Sequence, residues 1–444
     1  MNDSIFHAYD VRGIYPYELD EHDAYQIGCA IVKYLKPKNV VIGRDIRKSS
    51  ERIACALICG ITDQGVDVTS IDLSSTPMLY FAIANYNFDA GINVTASHNP
   101  AKYNGFKICK EKAIPLFLGG GLEEIRRLAK EHHDPVEKKG KVEKKFILAD
   151  YKDHIMQFTK NIKPLKVVVD AGNGMVGYTT NNLFQELPLE MIPLFFEPDG
   201  NFPNHSPDPT LDKNLTQLKE KVKEEKAELG IAFDGDGDRV VFVDENSNHI
   251  RGDLITALIA EEILHNKKDE IIFYDLRSSR IVKETIEKNN GTAMMTRVGH
   301  SFIKRNMRDN NAIFAGELSG HYYFRDNFTT DSGIIATIHV LNYLSRTNQT
   351  LSEAIKHFQK FFHSGEINFE VKHKNLIILK LEKKYKDGNI SKIDGIMSSY
   401  KDWWFNVRPS NTEALLRLNL EASTKELMEE KLKEISEIIK NNSK

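Results

Sequence analysis

Cysteine is scarce in this chain and poorly placed for cross-linking. The four thiols, Cys29, Cys55, Cys59 and Cys109, all fall in the first quarter of the 444 residues, with no Cys-x-x-Cys pair and no later partner. That distribution argues against a disulfide framework or a zinc cluster. Cys55 and Cys59 lie four apart in the apolar stretch Ile53–Ile61, which predicts one buried helix face. No apolar run reaches the roughly eighteen residues of a membrane-spanning helix. Met1 to His7 holds neither a basic segment nor an apolar core, so no secretory leader is expected, and the cytoplasm is the expected location. A dominant charge is missing too, because 60 Lys and Arg face 63 Asp and Glu for a formal net charge of −3. Lysine-rich runs such as Glu137–Lys141 are interleaved with acids, which excludes a general nucleic-acid surface. Anions must then be held by a few arginines and backbone amides placed locally.

What is present is ordinary globular material, 41% hydrophobic and 28% charged, enough for about three domains or four. Residues 1–145 read as a first α/β unit. Asn39–Arg44 is a buried strand opening into a polar loop at Asp45, Ser49–Glu51 starts a helix, and Val66–Ile71 is the next strand. The charged segment Lys130–Lys145 reads as a connection. A second α/β unit, 146–248, holds the buried strand Leu165–Asp170, a proline-rich loop from Pro198 to Pro209, a charged helix, and the strand Leu229–Phe233. A third, 249–364, opens on a helix near Leu254–Leu264 and continues with the strand Ile271–Tyr274, which runs into Asp275-Leu276-Arg277. Strands alternating with helices predict mixed, mainly parallel sheets. From 365 to 444 the pattern changes to an α+β unit, with strands expected at Leu376–Leu381, Trp403–Arg408 and Ala414–Leu420 and a helix over Lys425–Ile439. The expected fold is therefore three related α/β domains and a C-terminal α+β domain around a central cleft.

Chemistry concentrates in loops that follow strands. Thr95-Ala96-Ser97-His98-Asn99-Pro100 follows the alternating stretch Gly91–Val94, which presents a serine at the edge where open α/β sheets bind ligands. His98 beside it exchanges protons near neutral pH. Asp234, Asp236 and Asp238 alternate with glycines after Leu229–Phe233, and three carboxylates this close call for a cation. Hard oxygen ligands favour Mg²⁺ or Ca²⁺. Glu245 stands at the twelfth position of an EF-hand loop starting at Asp234, but Arg239 occupies the place where that loop needs glycine. A nucleophilic serine beside such a cation site suggests phosphoryl transfer. Glu317, Ser319 and His321 alternate, and an extended backbone would point them to one side. Arg408, Ser410, Asn411 and Thr412 offer hydroxyls, amides and a guanidinium suited to a phosphate.

In their order, Ala8–Gly13, Thr95–Pro100, Tyr103–Lys107, Asp234–Arg239, Gly316–His321 and Arg408–Glu413 resemble the α-D-phosphohexomutases, specifically the bacterial phosphomannomutase/phosphoglucomutase branch. The resemblance covers essentially the whole chain. It implies that Ser97 is carried as phosphoserine, donates to a hexose phosphate, and is rephosphorylated by the resulting 1,6-bisphosphate. It implies Mg²⁺ on Asp234, Asp236, Asp238 and the Ser97 phosphoryl oxygen, with a hexose 1,6-bisphosphate as activator. His98 and Lys107 are the implied proton-transfer groups, Lys107 needing a depressed pKa supplied by neighbouring cations. Arg239 and Arg12 would stabilise the transferring charge. Glu317, Ser319 and His321 would bind sugar hydroxyls, and Arg408, Ser410, Asn411 and Thr412 the phosphate that is not reacting. Tyr9, Asn99, Arg277 and His300 match substrate-contacting positions, although some relatives have lysine at Arg277. Ala96 replaces a common glycine. The implied partners are small hexose phosphates, with no nucleic acid or membrane and a monomer or weak dimer. The alternatives are a phosphoglucosamine mutase, whose members typically carry Asp-Arg where this chain has His300-Ser301, a phosphatase that lets water intercept the phosphoserine, and a sugar-phosphate sensor without turnover.

Overall fold

A strand buried on both faces needs no polar alternation, and Ala90–Val94 is such a strand. It lies inside the first sheet, parallel to Asn39–Arg44 and antiparallel to Tyr103–Lys110. The computed structural model describes residues 1–410 and 415–442, which build four sheets. The first runs Val11–Ile14, Tyr103–Lys110, Ala90–Val94, Asn39–Arg44, Asp67–Leu73, Val142–Lys144, with Ile114–Pro115 added beside Tyr103–Lys110. In the second, Leu165–Asp170 lies parallel to both Leu189–Leu194 and Leu229–Phe233, and the latter turns back as the antiparallel Val240–Asp244. In the third, Ile271–Asp275 lies parallel to Thr292–Thr296 and Phe314–Gly316, and Phe314–Gly316 pairs antiparallel with Tyr322–Phe324. The fourth is antiparallel throughout, with Trp403–Pro409 against Leu415–Ala422 at its centre.

One helix joins the first three sheets. Thr76–Asn85 starts on Pro77 and on the Ser75 hydroxyl, which accepts the Met78 N–H at 3.3 Å. Its residues from Thr76 to Ile83 are all buried, and those from Met78 to Ile83 belong to a single apolar core with Val167, Val169 and Ile272 of the second and third sheets. The fourth sheet has a core of its own around Phe405, Leu418 and Ile435. Among the described residues no helix is long and apolar enough to cross a membrane.

At three places the chain departs from expectation. Leu376–Leu381 is not a strand but part of the helix Lys374–Lys384. Ile377 and Leu381 are buried one turn apart, while Leu376 and Leu379 are 48% and 61% exposed. A short apolar run carries no period of its own, and packing on Ile396–Ser399 and Lys425–Asn441 decides it here. Cys55 and Cys59 are exposed, because helix Ser50–Asp63 turns Ile53, Leu57 and Ile61 inward instead. The connection Lys130–Lys145 contributes an edge strand, Val142–Lys144, parallel to Asp67–Leu73.

Two measurements test this packing. In a helix Leu379 and Leu381 face opposite sides, so Leu381→Ala should cost about 2–5 kcal/mol and Leu379→Ala less than about 0.5 kcal/mol. Similar losses of unfolding midpoint for both would restore the strand. The second concerns His339, which is buried and stacked on Phe324 at 5.0 Å, with no hydrogen-bond partner for Nδ1 among the described residues. Burial, then the charges of Lys160 and Lys267, push its pKa down to about 3. Between the unfolded value of roughly 6.5 and that limit the unfolded chain holds a proton the folded chain does not, so stability falls as pH drops. The unfolding midpoint should be lower at about pH 5 than at about pH 7, and His339→Leu should reduce the difference. An undiminished difference would remove His339 from the account.

Candidate functional site

The loop after Ala90–Val94 is tied down at each step. Thr95 N–H donates to the Gly105 carbonyl at 3.0 Å, and Ser97 N–H donates to Thr95 Oγ1 at 2.9 Å. Ser97 sits in left-handed backbone, φ 49°, which disfavours any residue bearing a Cβ. Its side chain is buried, and Oγ donates to Asp234 Oδ2 at 2.9 Å while lying 3.2 Å from His98 Nδ1.

Asp234, Asp236 and Asp238 occupy the hairpin between Leu229–Phe233 and Val240–Asp244, and all three are buried. Their oxygens lie within 4.8 Å of one another. Gly235 allows the close approach to the serine loop, since a Cβ there would meet the Ser97 carbonyl oxygen at 2.6 Å. Lys107 Nζ donates to Asp236 Oδ2 at 2.7 Å and also to Asp238, while Thr76 Oγ1 donates to Asp236 Oδ2 at 2.6 Å. Arg239 N–H donates to Asp234 Oδ1 at 3.1 Å. Burial and the Asp238 and Asp236 charges raise Asp234 well above the ordinary carboxylate range. Burial alone would lower Lys107, but Asp236, Asp238 and Asp234 outweigh it and raise the ammonium above its usual value. The direction is opposite to the depression expected of a base, because the nearest groups are carboxylates and not cations. Two buried oxygens, Asp236 Oδ1 and Asp238 Oδ1, have no hydrogen-bond partner among the described residues. Hard anionic oxygens left without donors suit a divalent cation of the Mg²⁺ type.

A cavity of about 620 Å³ adjoins this hairpin. Ser97, His98, Asn99 and Lys107 line it from the first sheet, Asp238 and Arg239 from the second, and Arg277, His300, Glu317, Ser319 and His321 from the third. Tyr9 and Arg12 enter beside the first strand. Asp234 and Asp236 lie behind this lining, in contact with Ser97 and Lys107. Tyr9 donates to the Val298 carbonyl at 3.2 Å and meets the His300 ring edge-on at 5.4 Å. Burial lowers both His98, with Arg239 and Arg12 adding to it, and His300, with Lys304 and Lys107 adding to it, well below the usual histidine value.

Glu317, Ser319 and His321 converge by a different route from the extended one expected. Glu317 N–H donates to the His321 carbonyl at 2.9 Å and Gly320 N–H to the Glu317 carbonyl at 3.1 Å, closing a tight turn with Gly320 at φ 85°. Ser319 Oγ then lies 3.0 Å from His321 Nδ1, and Glu317 accepts the Gly299 N–H at 3.0 Å and the Tyr323 hydroxyl at 2.5 Å. This turn is joined to the aspartate hairpin, with Val240 N–H donating to the Gly320 carbonyl at 3.0 Å and Arg239 Nε to His321 Nε2 at 3.2 Å.

Arg408 is not part of the cavity lining; it pairs with Glu366 at 2.8 Å. Ser410 is buried at the end of Trp403–Pro409, also away from the lining, and Asn411 and Thr412 lie outside the described residues. Sequence reasoning passed over the carboxylates that hold the arginines. Asp10 takes Arg12 Nη2 at 2.6 Å and Nε at 2.9 Å, leaving Nη1 to donate to Asn99 Oδ1 at 2.7 Å. Asp275 takes Arg277 at 2.7 and 3.1 Å and also accepts the Leu318 N–H at 2.8 Å. Both pairs are Asp-x-Arg in sequence, as is Asp45-x-Arg47, and that recurring spacing is the signal that could have found them.

Four family descriptions match in succession: phosphoglucomutase/phosphomannomutase alpha/beta/alpha domain I over residues 3–133, domain II over 149–248, domain III over 251–361, and the C-terminal domain over 366–438. The chain is 42% identical over 442 residues to a phosphomannomutase of Methanocaldococcus jannaschii, covering 98% of this chain and 97% of that one. It is likewise 42% identical over 453 residues to a phosphomannomutase of Vibrio cholerae, covering 98% of each. Among solved structures, it resembles a phosphoglucomutase/phosphomannomutase family protein from Burkholderia thailandensis with a TM-score of 0.92 at 33% identity, over 100% of this chain and 98% of that one.

The carboxylate cluster yields a direct test. Calorimetric titration with Mg²⁺ should show one site in the parent and at least about tenfold weaker binding in Asp236→Asn, as loss of one hard ligand predicts. Equal affinities would take the cation away from this hairpin.

Proposed function

Because the chain belongs to the phosphoglucomutase/phosphomannomutase family and is an isomerase of the phosphohexomutase type, we propose that it interconverts mannose 1-phosphate and mannose 6-phosphate, and the corresponding glucose phosphates, through a phosphoserine at Ser97. The observation that carries the mechanism is the position of Ser97 Oγ, 2.9 Å from the aspartate hairpin and 3.2 Å from an imidazole, in the lining of the cavity. A bare sugar-phosphate sensor needs none of this arrangement.

In the proposed cycle the sugar hydroxyl attacks the phosphorus on Ser97. The P–O bond to serine breaks as the new P–O bond forms, giving a hexose 1,6-bisphosphate and a serine alkoxide. The bisphosphate then turns over in the site, and the alkoxide attacks its other phosphorus. The P–O bond to the sugar breaks as the bond to Ser97 forms, and the leaving sugar oxygen takes back the proton removed in the first step. If the bisphosphate departs instead, the alkoxide takes that proton. Asp234, Asp236, Asp238 and the Ser97 phosphoryl oxygen would hold Mg²⁺, which neutralises charge on the transferring group. Lys107, placed against Asp236 and Asp238, stands beside the transferring group as a further positive charge. His98, whose Nδ1 lies 3.2 Å from Ser97 Oγ, accepts the hydroxyl proton. Arg12 and Arg239 face the same charge. Glu317, Ser319 and His321 would bind sugar hydroxyls, and a carboxylate that accepts two suits either orientation of the ring. Tyr9, Asn99, Arg277 and His300 would complete the sugar-phosphate pocket. The loop of Arg408, Ser410, Asn411 and Thr412 would bind the distal phosphate. A small amount of hexose 1,6-bisphosphate would activate the enzyme by charging Ser97.

Turnover of mannose 1-phosphate, glucose 1-phosphate and glucosamine 1-phosphate, each with Mg²⁺ and a trace of bisphosphate, tests the substrate. Comparable kcat/KM on the first two is expected, and dominant glucosamine turnover would instead make the chain a phosphoglucosamine mutase. Ser97→Ala should keep the fold and lose at least about 10³-fold in kcat. A variant retaining most of its rate would remove the phosphoserine.

A further inference from the structure

The third Asp-x-Arg pair lies outside the cavity lining and has no assigned task. Arg47 has a fully buried side chain, and all five of its side-chain N–H groups are used. Nε donates to Asp45 Oδ2 at 3.0 Å. Nη1 donates to the carbonyls of Pro100 at 2.7 Å and Tyr103 at 3.1 Å. Nη2 donates to the carbonyls of Ser97 and Asn99, both at 2.7 Å. Four of these five acceptors belong to the serine loop or the residues just after it, and one is Ser97 itself. The Pro100 carbonyl also accepts the Tyr103 N–H at 3.0 Å, and buried carbonyls left without donors are costly.

The opposite face of the guanidinium is covered from the second sheet's side. The Phe202 ring lies 5.0 Å from the Arg47 guanidinium carbon. Phe202 belongs to the proline-rich loop 198–209, and Gly200 lets that loop lie against Arg47, since a Cβ there would come within 2.7 Å of Arg47 Cα. The same loop receives the aspartate hairpin, as Gly235 N–H donates to the Pro207 carbonyl at 3.2 Å. Arg47 is therefore fixed between the segment that carries the nucleophile and the loop on which the aspartate hairpin rests.

We propose that Arg47 is a positioning residue for phosphoryl transfer: by holding the carbonyls of Ser97, Asn99, Pro100 and Tyr103 it keeps Ser97 in left-handed backbone with Oγ directed at the aspartate hairpin. The inference rests on Ser97 being the phosphoryl carrier. A planar five-donor fork is required, and lysine, with three donors on one nitrogen, cannot reach four carbonyls and Asp45 together. Reacting atoms displaced by about 1 Å lose roughly 10²-fold in rate, while the contacts to the sugar hydroxyls proposed for Glu317, Ser319 and His321, on another loop, stay in place.

The test is Arg47→Lys, which keeps the positive charge beside Asp45. Its circular dichroism should match the parent, its KM for mannose 1-phosphate should stay within about threefold, and its kcat should fall about 100-fold. Single-turnover labelling of Ser97 from glucose 1,6-bisphosphate should slow by a similar factor and still reach full stoichiometry. Normal kcat in the folded variant would overturn the proposal. So would a loss explained by fewer labelled sites at an unchanged rate, which marks a purely structural role. Should Arg47→Lys not fold, Phe202→Leu removes the covering ring and leaves the Asp45 pair; it should lower kcat several-fold at unchanged KM, and full kcat overturns the proposal. Failure of the underlying reading is separate, because a parent enzyme that takes no phosphate onto Ser97 ends both claims.

Discussion

Three carboxylates buried within 4.8 Å of one another set the terms for the centre of this molecule. Buried charge of one sign is tolerable only with compensation close by, since the low-dielectric interior strengthens repulsion as well as attraction. The compensating groups come from the first sheet's elements, namely the Lys107 ammonium, the Thr76 hydroxyl and the Ser97 hydroxyl, while His321 of the third sheet takes the Arg239 side chain beside the cluster. Two oxygens still lack donors. The hairpin thus draws three structural units to one point, with carboxylates there that could hold a metal ion.

Holding loops at such a point requires rigid carriers, and the chain uses one device three times. Asp10 with Arg12, Asp45 with Arg47, and Asp275 with Arg277 are carboxylate–guanidinium pairs two residues apart, each at a strand end. In each the carboxylate fixes one edge of the guanidinium and directs the rest elsewhere: Arg12 toward Asn99, Arg47 toward the serine-loop carbonyls, and Arg277 into the cavity lining. Because the donors lie in a plane, fixing one edge fixes the others, which a flexible lysine cannot do.

Much of the site was legible because its chemistry is local. Ser97-His98, the Asp-Gly-Asp-Gly-Asp run, and Glu317 to His321 each announce themselves within a few residues, and the strands before them fix which edge they occupy. The resemblance to the phosphohexomutases rested on the same short segments and agreed with the four family matches. What stayed hidden depends on packing. Nothing in Leu376–Leu381 tells a strand from a helix until its neighbours choose which leucines to cover. Cys55 looked buried because its stretch is apolar, yet that stretch has enough apolar residues to fill an inward face without it. Lys107 was expected to titrate downward, and only the fold reveals that carboxylates from another sheet are its nearest neighbours.

The joining of the aspartate hairpin to the turn at His321 also bears on how the chain assembles during synthesis. Ribosomes release the N-terminal part first, so Lys107 and Thr76 are already available when Asp234–Asp238 emerges. The Lys107 partner of these carboxylates therefore precedes them in the chain, but their link to the third sheet, through Val240 to Gly320 and Arg239 to His321, must wait for about eighty more residues. Over that interval the apolar side chains that the first two units share with the third in one core are also without their partners.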